Sequence, residues 1–136
     1  MATAESKGVL TRYNVKSLEE LDQKIEELLQ KNQQEEIFIW FVGSVENGVS
    51  WCSDCRTSEP VVENYLENLK LKLDCSLIIC TVDKAPFKSP NSPYMKHKAK
   101  VKKVPTIIWW GKPERVEESE CMDTEMLALV FEKVKE

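Results

Sequence analysis

The sequence predicts an α/β domain in which helices cover both faces of a central mixed β-sheet. Two short apolar runs, residues 37–42 and 77–82, indicate strands that are buried on both faces. Helical patterns alternate with these runs, and a hairpin and a closing helix follow them. The resulting order, β-α-β-α-β-(α)-β-β-α, favours a mixed sheet, because the alternating part gives parallel pairs and the hairpin gives an antiparallel one.

Apolar residues recur at helical spacing in three segments of the chain, and a fourth, basic segment is also predicted to be helical. Ser17 and Glu20 form a capping-box pattern at the start of the first segment, and Asp123 can cap the last. Pro60 lies inside the second segment, where we expect a kink. The predicted helices span about residues 18–32, 53–69, 94–103 and 124–134, and the third of these is short and very basic.

The other segments are predicted from their composition. Strands are expected at residues 8–15, 36–42, 77–82, 104–110 and 115–118, the last two as an antiparallel pair. Loops are expected at residues 43–50 and 83–93, because Gly, Ser, Asn and Pro are frequent there.

Length and composition limit the number of domains and exclude two classes of protein. The 136 residues, 42% of them hydrophobic, suit one domain over residues 1–136, with residues 1–7 flexible. A net charge of −4 argues against nucleic-acid binding, which normally needs a basic surface. No stretch approaches the roughly 18 apolar residues of a membrane-spanning helix, so we expect no membrane partner.

The cysteines and the first residues indicate the cellular compartment. The N-terminal segment lacks the basic-then-apolar pattern of a secretory signal, so we expect a cytoplasmic protein whose thiols stay reduced. Five cysteines, an odd number, argue against a framework of structural disulfides. We interpret Cys75, Cys80 and Cys121 as packing thiols.

Cys52 and Cys55 lie three positions apart where a loop meets the start of a helix. A helix N-terminus offers unpaired N–H groups and a partial positive charge, which stabilise an anion by about 0.3–1 kcal/mol. This effect lowers the pKa of a thiol there. We therefore predict that Cys52 is an exposed nucleophile and that Cys55, one turn further, is the resolving thiol.

A structural zinc site is an alternative interpretation of the same pair. Zinc takes four ligands, so two more would have to come from Cys75, Cys80, Cys121 or His97. Cys75 and Cys80 are an odd number of residues apart, and on one strand their side chains would point to opposite faces.

Three sequence features together resemble the thioredoxin superfamily. They are Trp51-Cys52-x-x-Cys55, Pro60 eight positions after the first cysteine, and Val104-Pro105-Thr106 before a strand. Within that superfamily, residues 43–50, Asp54, residues 59–62 and residues 116–121 resemble the thioredoxin domain-containing protein 17 family, which includes the Clot proteins of plants and insects. The resemblance covers about residues 8–135 and implies a thioredoxin fold.

The resemblance also implies roles for residues around the cysteines. Pro105 is expected to be a cis-proline that faces the dithiol, and the backbone of Val104 is expected to pair with bound substrate. Trp51 is expected to pack beside the thiols and to bound the substrate groove. These expectations place the substrate between Trp51 and the Val104-Pro105 bond.

Ser53 and Asp54 are candidates for tuning the redox chemistry. The family usually has proline at position 53, and serine there restores an N–H donor. Typical thioredoxins have a buried carboxylate in the central strand, whereas residues 38–41 contain none. Asp54 is then the nearest carboxylate in sequence that could accept the Cys55 proton. It could equally be an ordinary first-turn acid that stabilises the helix dipole.

The function implied by the resemblance is that of a cytosolic disulfide reductase. Its reducing equivalents would come from NADPH through thioredoxin reductase, and no bound cofactor is expected, since a Gly-rich dinucleotide motif is absent. Implied substrates are small disulfides such as cystine, selected protein disulfides and nitrosothiols, with support of peroxide removal.

The alternative from another class is a redox-gated interaction module in signalling. The basic run at residues 96–103 is either a solvated face or an attraction for anionic partners.

Overall fold

A five-stranded mixed sheet lies at the centre of the computed structural model, which describes residues 7–136. Its strands, numbered along the chain, are β1 (Leu10–Val15), β2 (Glu36–Gly43), β5 (Cys75–Val82), β6 (Thr106–Trp109) and β7 (Arg115–Glu117). They lie in the order β1-β5-β2-β6-β7. β5 is parallel to both β1 and β2, whereas β6 pairs antiparallel with β2 and with β7. The predicted mixed sheet is therefore confirmed.

Helices pack on both faces of this sheet. The helices are α1 (Leu18–Lys31), α2 (Ser53–Asn68), α3 (Lys84–Phe87), α4 (Pro93–Lys96) and α5 (Thr124–Val130), with a 3-10 helix at Glu118–Met122. Neighbouring residues of β2 alternate between the two core layers: Ile39 packs in the layer of α1, and Phe38 and Trp40 pack in the layer of α5. This alternation fixes which side of the sheet each helix covers.

The start of α1 shows how local sequence sets an element. Ser17 Oγ accepts the backbone N–H of Glu20 at 3.1 Å, and the Glu20 carboxylate accepts the N–H of Lys16 at 3.2 Å. Leu21, Ile25 and Leu28 then bury one side of the helix. The capping pattern and the helical spacing are thus confirmed together.

The predicted loop at residues 43–50 contains a small hairpin, so that prediction was incomplete. Its strands are β3 (Val45–Glu46) and β4 (Val49–Ser50), and they pair antiparallel. Between them Asn47 and Gly48 have φ of 52° and 85°. Asn-Gly is the preferred pair for a two-residue turn in which both residues need positive φ. The sequence signal for this hairpin was present in the two turn residues.

The predicted basic helix at residues 94–103 is wrong beyond its first turn, because α4 ends at Lys96. Lys100 has a positive φ of 51°, which a continuing helix does not permit. The N–H of Ala99 is bonded to Nδ1 of His97 at 3.0 Å, and the N–H of Val101 is bonded to the carbonyl of Tyr94 at 3.0 Å. A hydrogen bond to a side chain and one across seven residues therefore replace the regular hydrogen bonds of a helix here.

Other boundaries differ from the predictions by a few residues. β5 begins two residues earlier than expected, β6 is confined to Thr106–Trp109, and the predicted loop at residues 83–93 contains α3. Asp123 caps α5, accepting from the N–H groups of Glu125 and Met126. The 3-10 helix was not predicted. The expectation of a flexible segment at residues 1–7 falls almost wholly on residues 1–6, which lie outside the described part of the chain.

Within residues 7–136, no helix is both long enough and apolar enough to cross a lipid bilayer.

Phe131 anchors the C-terminal segment to the sheet, and its removal should destabilise the fold. Its buried ring lies 4.5 Å from that of Phe38 and 6.0 Å from that of Tyr65, measured between centroids. We expect Phe131→Ala to lower the free energy of unfolding in urea by about 3–5 kcal/mol. Leu129→Ala, at a position that is 58% exposed, is the matched control and should cost less than about 0.5 kcal/mol. Equal losses for both variants would contradict this assignment of the core.

Candidate functional site: the Cys52–Cys55 pair

The cysteine pair lies where the hairpin returns to the carboxyl ends of β2 and β5. The backbone N–H of Cys52 donates to Ser50 Oγ at 3.2 Å, and that hydroxyl donates to the carbonyl of Gly43 at 3.0 Å. Trp51 Nε1 donates to the carbonyl of Val82 at 2.8 Å. These bonds fix the residues before α2 to the ends of two central strands.

Cys52 and Cys55 form a disulfide at the N-terminus of α2. Their Cα atoms are 5.2 Å apart, well within the range that a disulfide spans. Cys52 is the N-cap residue, and the backbone N–H of Cys55 donates to its sulfur at 3.1 Å. A helix N-terminus and an N–H donor both favour negative charge on a sulfur, and Cys52 is the cysteine that lies at both.

The two sulfurs face different surroundings. Only 6% of Cys52 and 4% of Cys55 is exposed. We expected Cys52 to be an exposed nucleophile, and it is instead almost fully buried. Cys52 lines an open groove of about 310 Å³. Cys55 lines a separate cavity of about 270 Å³ on the other side, where the N–H of Gly43 donates to its sulfur at 3.4 Å. Substrate can therefore reach Cys52 through the groove, while Cys55 stays behind it.

Aromatic and basic side chains form the walls of the Cys52 groove. The rings of Trp51 and Phe87 are 5.9 Å apart, and Lys88 Nζ lies 5.9 Å from the centre of the Trp51 ring. The lysines that line the groove are Lys84, Lys88, Lys102 and Lys103, and Lys103 pairs with Glu118 at 3.2 Å. The groove thus combines a flat apolar wall with an excess of positive charge.

The Val104–Pro105 peptide bond is cis and lies directly beside the cysteines. The carbonyl oxygen of Val104 is 3.4 Å from Cys52 Sγ, and Val104 lines the groove. The structure therefore brings together Trp51, Cys52, Cys55 and the Val104-Pro105 bond from two separate segments of the sequence. A chain that entered the groove would meet the backbone of Val104 next to the reactive sulfur.

Ser53 and Asp54 occupy the first turn of α2 and line the groove with Cys52. Asp54 does not line the cavity that contains Cys55, whereas Glu59 and Glu63 do. Sequence reasoning missed Glu59, although its position four residues after Cys55 places both on one helix face. It also missed Lys84, Lys88 and Glu118, which reach the groove from distant segments and share no local pattern.

The other three cysteines are buried and separated from the pair. Cys75 packs in the core layer of α5 and Cys80 in that of α1, so the predicted opposite orientation is confirmed. Burial raises the pKa of Cys75, Cys80 and Cys121 to about 12 in each case. Across residues 7–136, no group of three or more His, Cys, Asp or Glu side chains is arranged to hold a metal ion.

The basic run is divided between two surfaces. Lys102 and Lys103 line the Cys52 groove, whereas Lys96, His97 and Lys98 line another groove formed with α1. His97 Nε2 is 2.7 Å from Asp22 Oδ1, and its Nδ1 accepts the N–H of Ala99. The two ring nitrogens of His97 thus contact α1 on one side and the backbone of the following residues on the other.

Alkylation should separate the reactive thiol from the buried ones. When the reduced, folded protein is treated with iodoacetamide at about pH 8, we expect modification of Cys52 and none of Cys75, Cys80 or Cys121. Burial raises the pKa of these three thiols to about 12, so they remain protonated and inaccessible. Peptide mass spectrometry locates the modified residue, and unfolding in urea should make all five cysteines reactive. Rapid native labelling of Cys80 would contradict the described packing.

Comparisons with known proteins agree with this arrangement. A family model described as thioredoxin domain-containing protein 17-like, thioredoxin domain, matches residues 14–133. Thioredoxin domain-containing protein 17 of Mus musculus is 35% identical over 133 residues, which cover 96% of this chain and 98% of the relative. The Homo sapiens protein of that name is 34% identical over 127 residues, 90% of this chain and 98% of the relative. The Danio rerio protein is 34% identical over 97 residues, 71% of this chain and 77% of the relative. The chain has a thioredoxin domain and belongs to the thioredoxin domain-containing protein 17-like family.

Proposed function

We propose that this protein is a cytosolic dithiol–disulfide oxidoreductase that reduces small disulfides and selected protein disulfides. The hydrogen bond from the Cys55 N–H to Cys52 Sγ carries the proposal, because it stabilises the thiolate that attacks. The position of Cys55 one helical turn behind supports its role as the resolving thiol. The family membership supports the same reaction class.

The proposed reaction proceeds in two exchanges. The Cys52 thiolate attacks one sulfur of the substrate disulfide, forms a mixed disulfide and displaces the first substrate thiolate. The Cys55 thiolate then attacks Cys52 Sγ, which forms the Cys52–Cys55 disulfide and releases the second substrate thiolate. Both leaving thiolates take protons from solvent. Two electrons pass from the protein dithiol to the substrate, so no bound cofactor is needed for these steps.

Thioredoxin reductase with NADPH is the proposed source of electrons for the next cycle. The proposed small substrate is cystine or a similar disulfide, since the groove has a volume of only about 310 Å³ and its lysines attract carboxylates close to the scissile bond. The hairpin before Trp51 contributes Val45 and Ser50 to the lining of the Cys55 cavity rather than to this groove. We extend the proposal to selected protein disulfides, nitrosothiols and the support of peroxide removal.

A redox-gated interaction module is the second candidate. It is favoured by two valines of the hairpin, Val45 and Val49, which are 68% and 57% exposed close to the cysteine pair. Exposed apolar residues beside a redox pair could bind a partner in one oxidation state only. This candidate requires a binding preference between the oxidised and the reduced protein, and it does not require turnover.

Coupled turnover tests the proposed reaction. With thioredoxin reductase and NADPH, we expect the protein to support NADPH consumption with cystine, and less with insulin. Cys55→Ser should abolish turnover and accumulate a mixed disulfide on Cys52, because the resolving thiolate is missing. Cys52→Ser is the matched control and should neither turn over nor form the mixed disulfide.

Two outcomes would contradict the reductase. One is a wild-type protein that reduces neither cystine nor insulin. The other is a Cys55→Ser protein that forms no mixed disulfide but keeps a redox-dependent partner, which would favour the interaction module.

A further inference from the structure

Cys55 lines a cavity that is separate from the groove of Cys52 and lies between α2 and the sheet. Its volume is about 270 Å³, and a water molecule occupies roughly 30 Å³ in the liquid. The polar side chains that line it are those of Asn14, Ser50, Glu59, Glu63 and Thr81. Apolar side chains complete the lining, and because the cavity opens to solvent beside the exposed Glu59, water can enter it.

Trp40 is the central-strand residue whose aromatic side chain lines this cavity. It is 2% exposed, and its buried Nε1–H has no hydrogen-bond partner among residues 7–136. Where the central strand reaches the cavity it therefore contributes an indole, and no carboxylate.

Two carboxylates share the cavity with Cys55, and only one of them is available. Both oxygens of Glu63 accept from the guanidinium of Arg12, at 2.9 and 2.8 Å. Both carboxylate oxygens of Glu63 are therefore occupied by Arg12 rather than free to face the cavity. The side chain of Glu59 makes no hydrogen bond or ion pair with any other residue in the described range 7–136. It is exposed and lies one helical turn after Cys55 on the same face of α2.

We propose that Glu59 accepts the proton of Cys55 through water in this cavity; the inference rests on the proposed disulfide reductase. When the mixed disulfide forms on Cys52, the Cys55 S–H bond breaks and its proton passes through water to Glu59. The Cys55 thiolate attacks Cys52 Sγ, the bond from Cys52 to the substrate sulfur breaks, and the substrate leaves as a thiolate. Glu59 then returns the proton to solvent, to which its exposed side chain is open.

The other charged groups near Cys55 do not provide this route. Asp54 lines the Cys52 groove, and Glu63 is occupied by Arg12. The Arg56 guanidinium donates to the carbonyl of Ser50, and a guanidinium is a donor only, so it cannot accept the proton of Cys55. The Cys52 sulfur is itself bonded to the substrate at this stage. Glu59 is the remaining acceptor in the described cavity.

Single-turnover kinetics test the role of Glu59. Reduced protein is mixed with cystine and quenched with acid, and mass spectrometry follows the mixed disulfide and the Cys52–Cys55 disulfide separately. We expect Glu59→Gln to slow the second step about tenfold near neutral pH and to move the midpoint of its pH profile upward, because the carboxylate that removes the proton is lost. The first step should keep its wild-type rate.

Matched variants distinguish proton transfer from packing. Glu63→Gln removes a carboxylate from the same cavity and should change the second step by less than about twofold. Glu59→Asp keeps a carboxylate and should recover most of the rate. A Glu59→Gln protein with the wild-type rate and pH profile would overturn the inference, as would equal losses in Glu59→Gln and Glu59→Asp.

Three further outcomes show whether the role of Glu59, the proposed function or both fail. A shifted pH profile in Asp54→Asn with none in Glu59→Gln would assign the proton to Asp54 and overturn it. If the wild-type protein forms no mixed disulfide at all, the proposed function fails, and the role of Glu59 fails with it. A wild-type protein that completes both steps while Glu59→Gln is unaffected refutes the role of Glu59 alone.

Discussion

The hydrogen bond from the Cys55 N–H to Cys52 Sγ is the contact on which the proposed chemistry depends. It joins the sulfur to the N-terminus of α2, where unpaired N–H groups and the helix dipole favour negative charge. The strands contribute by holding this terminus in place through Gly43 and Val82. Gly43 also approaches the pair so closely that a Cβ there would lie 2.8 Å from the Cβ of Cys52. Backbone packing therefore sets the geometry of the reactive pair.

The two sulfurs have different surroundings because of where they lie between the carboxyl ends of the central strands and the N-terminus of α2. Cys52 meets a groove with an aromatic wall, four lysines and the cis Val104–Pro105 bond. Cys55 meets a cavity of mixed lining to which Trp40 and two glutamates contribute. In the proposed reaction the substrate enters and its thiolates leave through the groove, whereas the cavity receives the proton of Cys55. Substitutions on the two sides of α2 should therefore change the redox exchange and the proton transfer separately.

The sequence predicted those features that depend on local pattern. Residues 37–42 and 77–82 formed the expected buried strands, and Ser17 began a helix as its capping pattern indicated. The cis bond at Pro105 followed from a family resemblance and not from spacing. The basic helix at residues 94–103 failed because the N–H of Ala99 bonds to His97 Nδ1 and the N–H of Val101 bonds to the carbonyl of Tyr94, and these bonds outweighed helix propensity. The cavity beside Cys55 forms where residues of five strands, three of the central sheet and two of the hairpin, meet α2, so no local pattern revealed it.

The pKa of Cys52 in the reduced protein is the measurement that tests the central claim most directly. Thiolate absorbance is followed against pH in Cys55→Ser, which keeps the backbone N–H at position 55 and leaves Cys52 as the only accessible thiol. The account predicts a midpoint below the value of about 8.5 that is typical of a free cysteine. A midpoint at or above that value would show that the helix N-terminus does not stabilise the Cys52 thiolate, and the proposed order of attack would be contradicted.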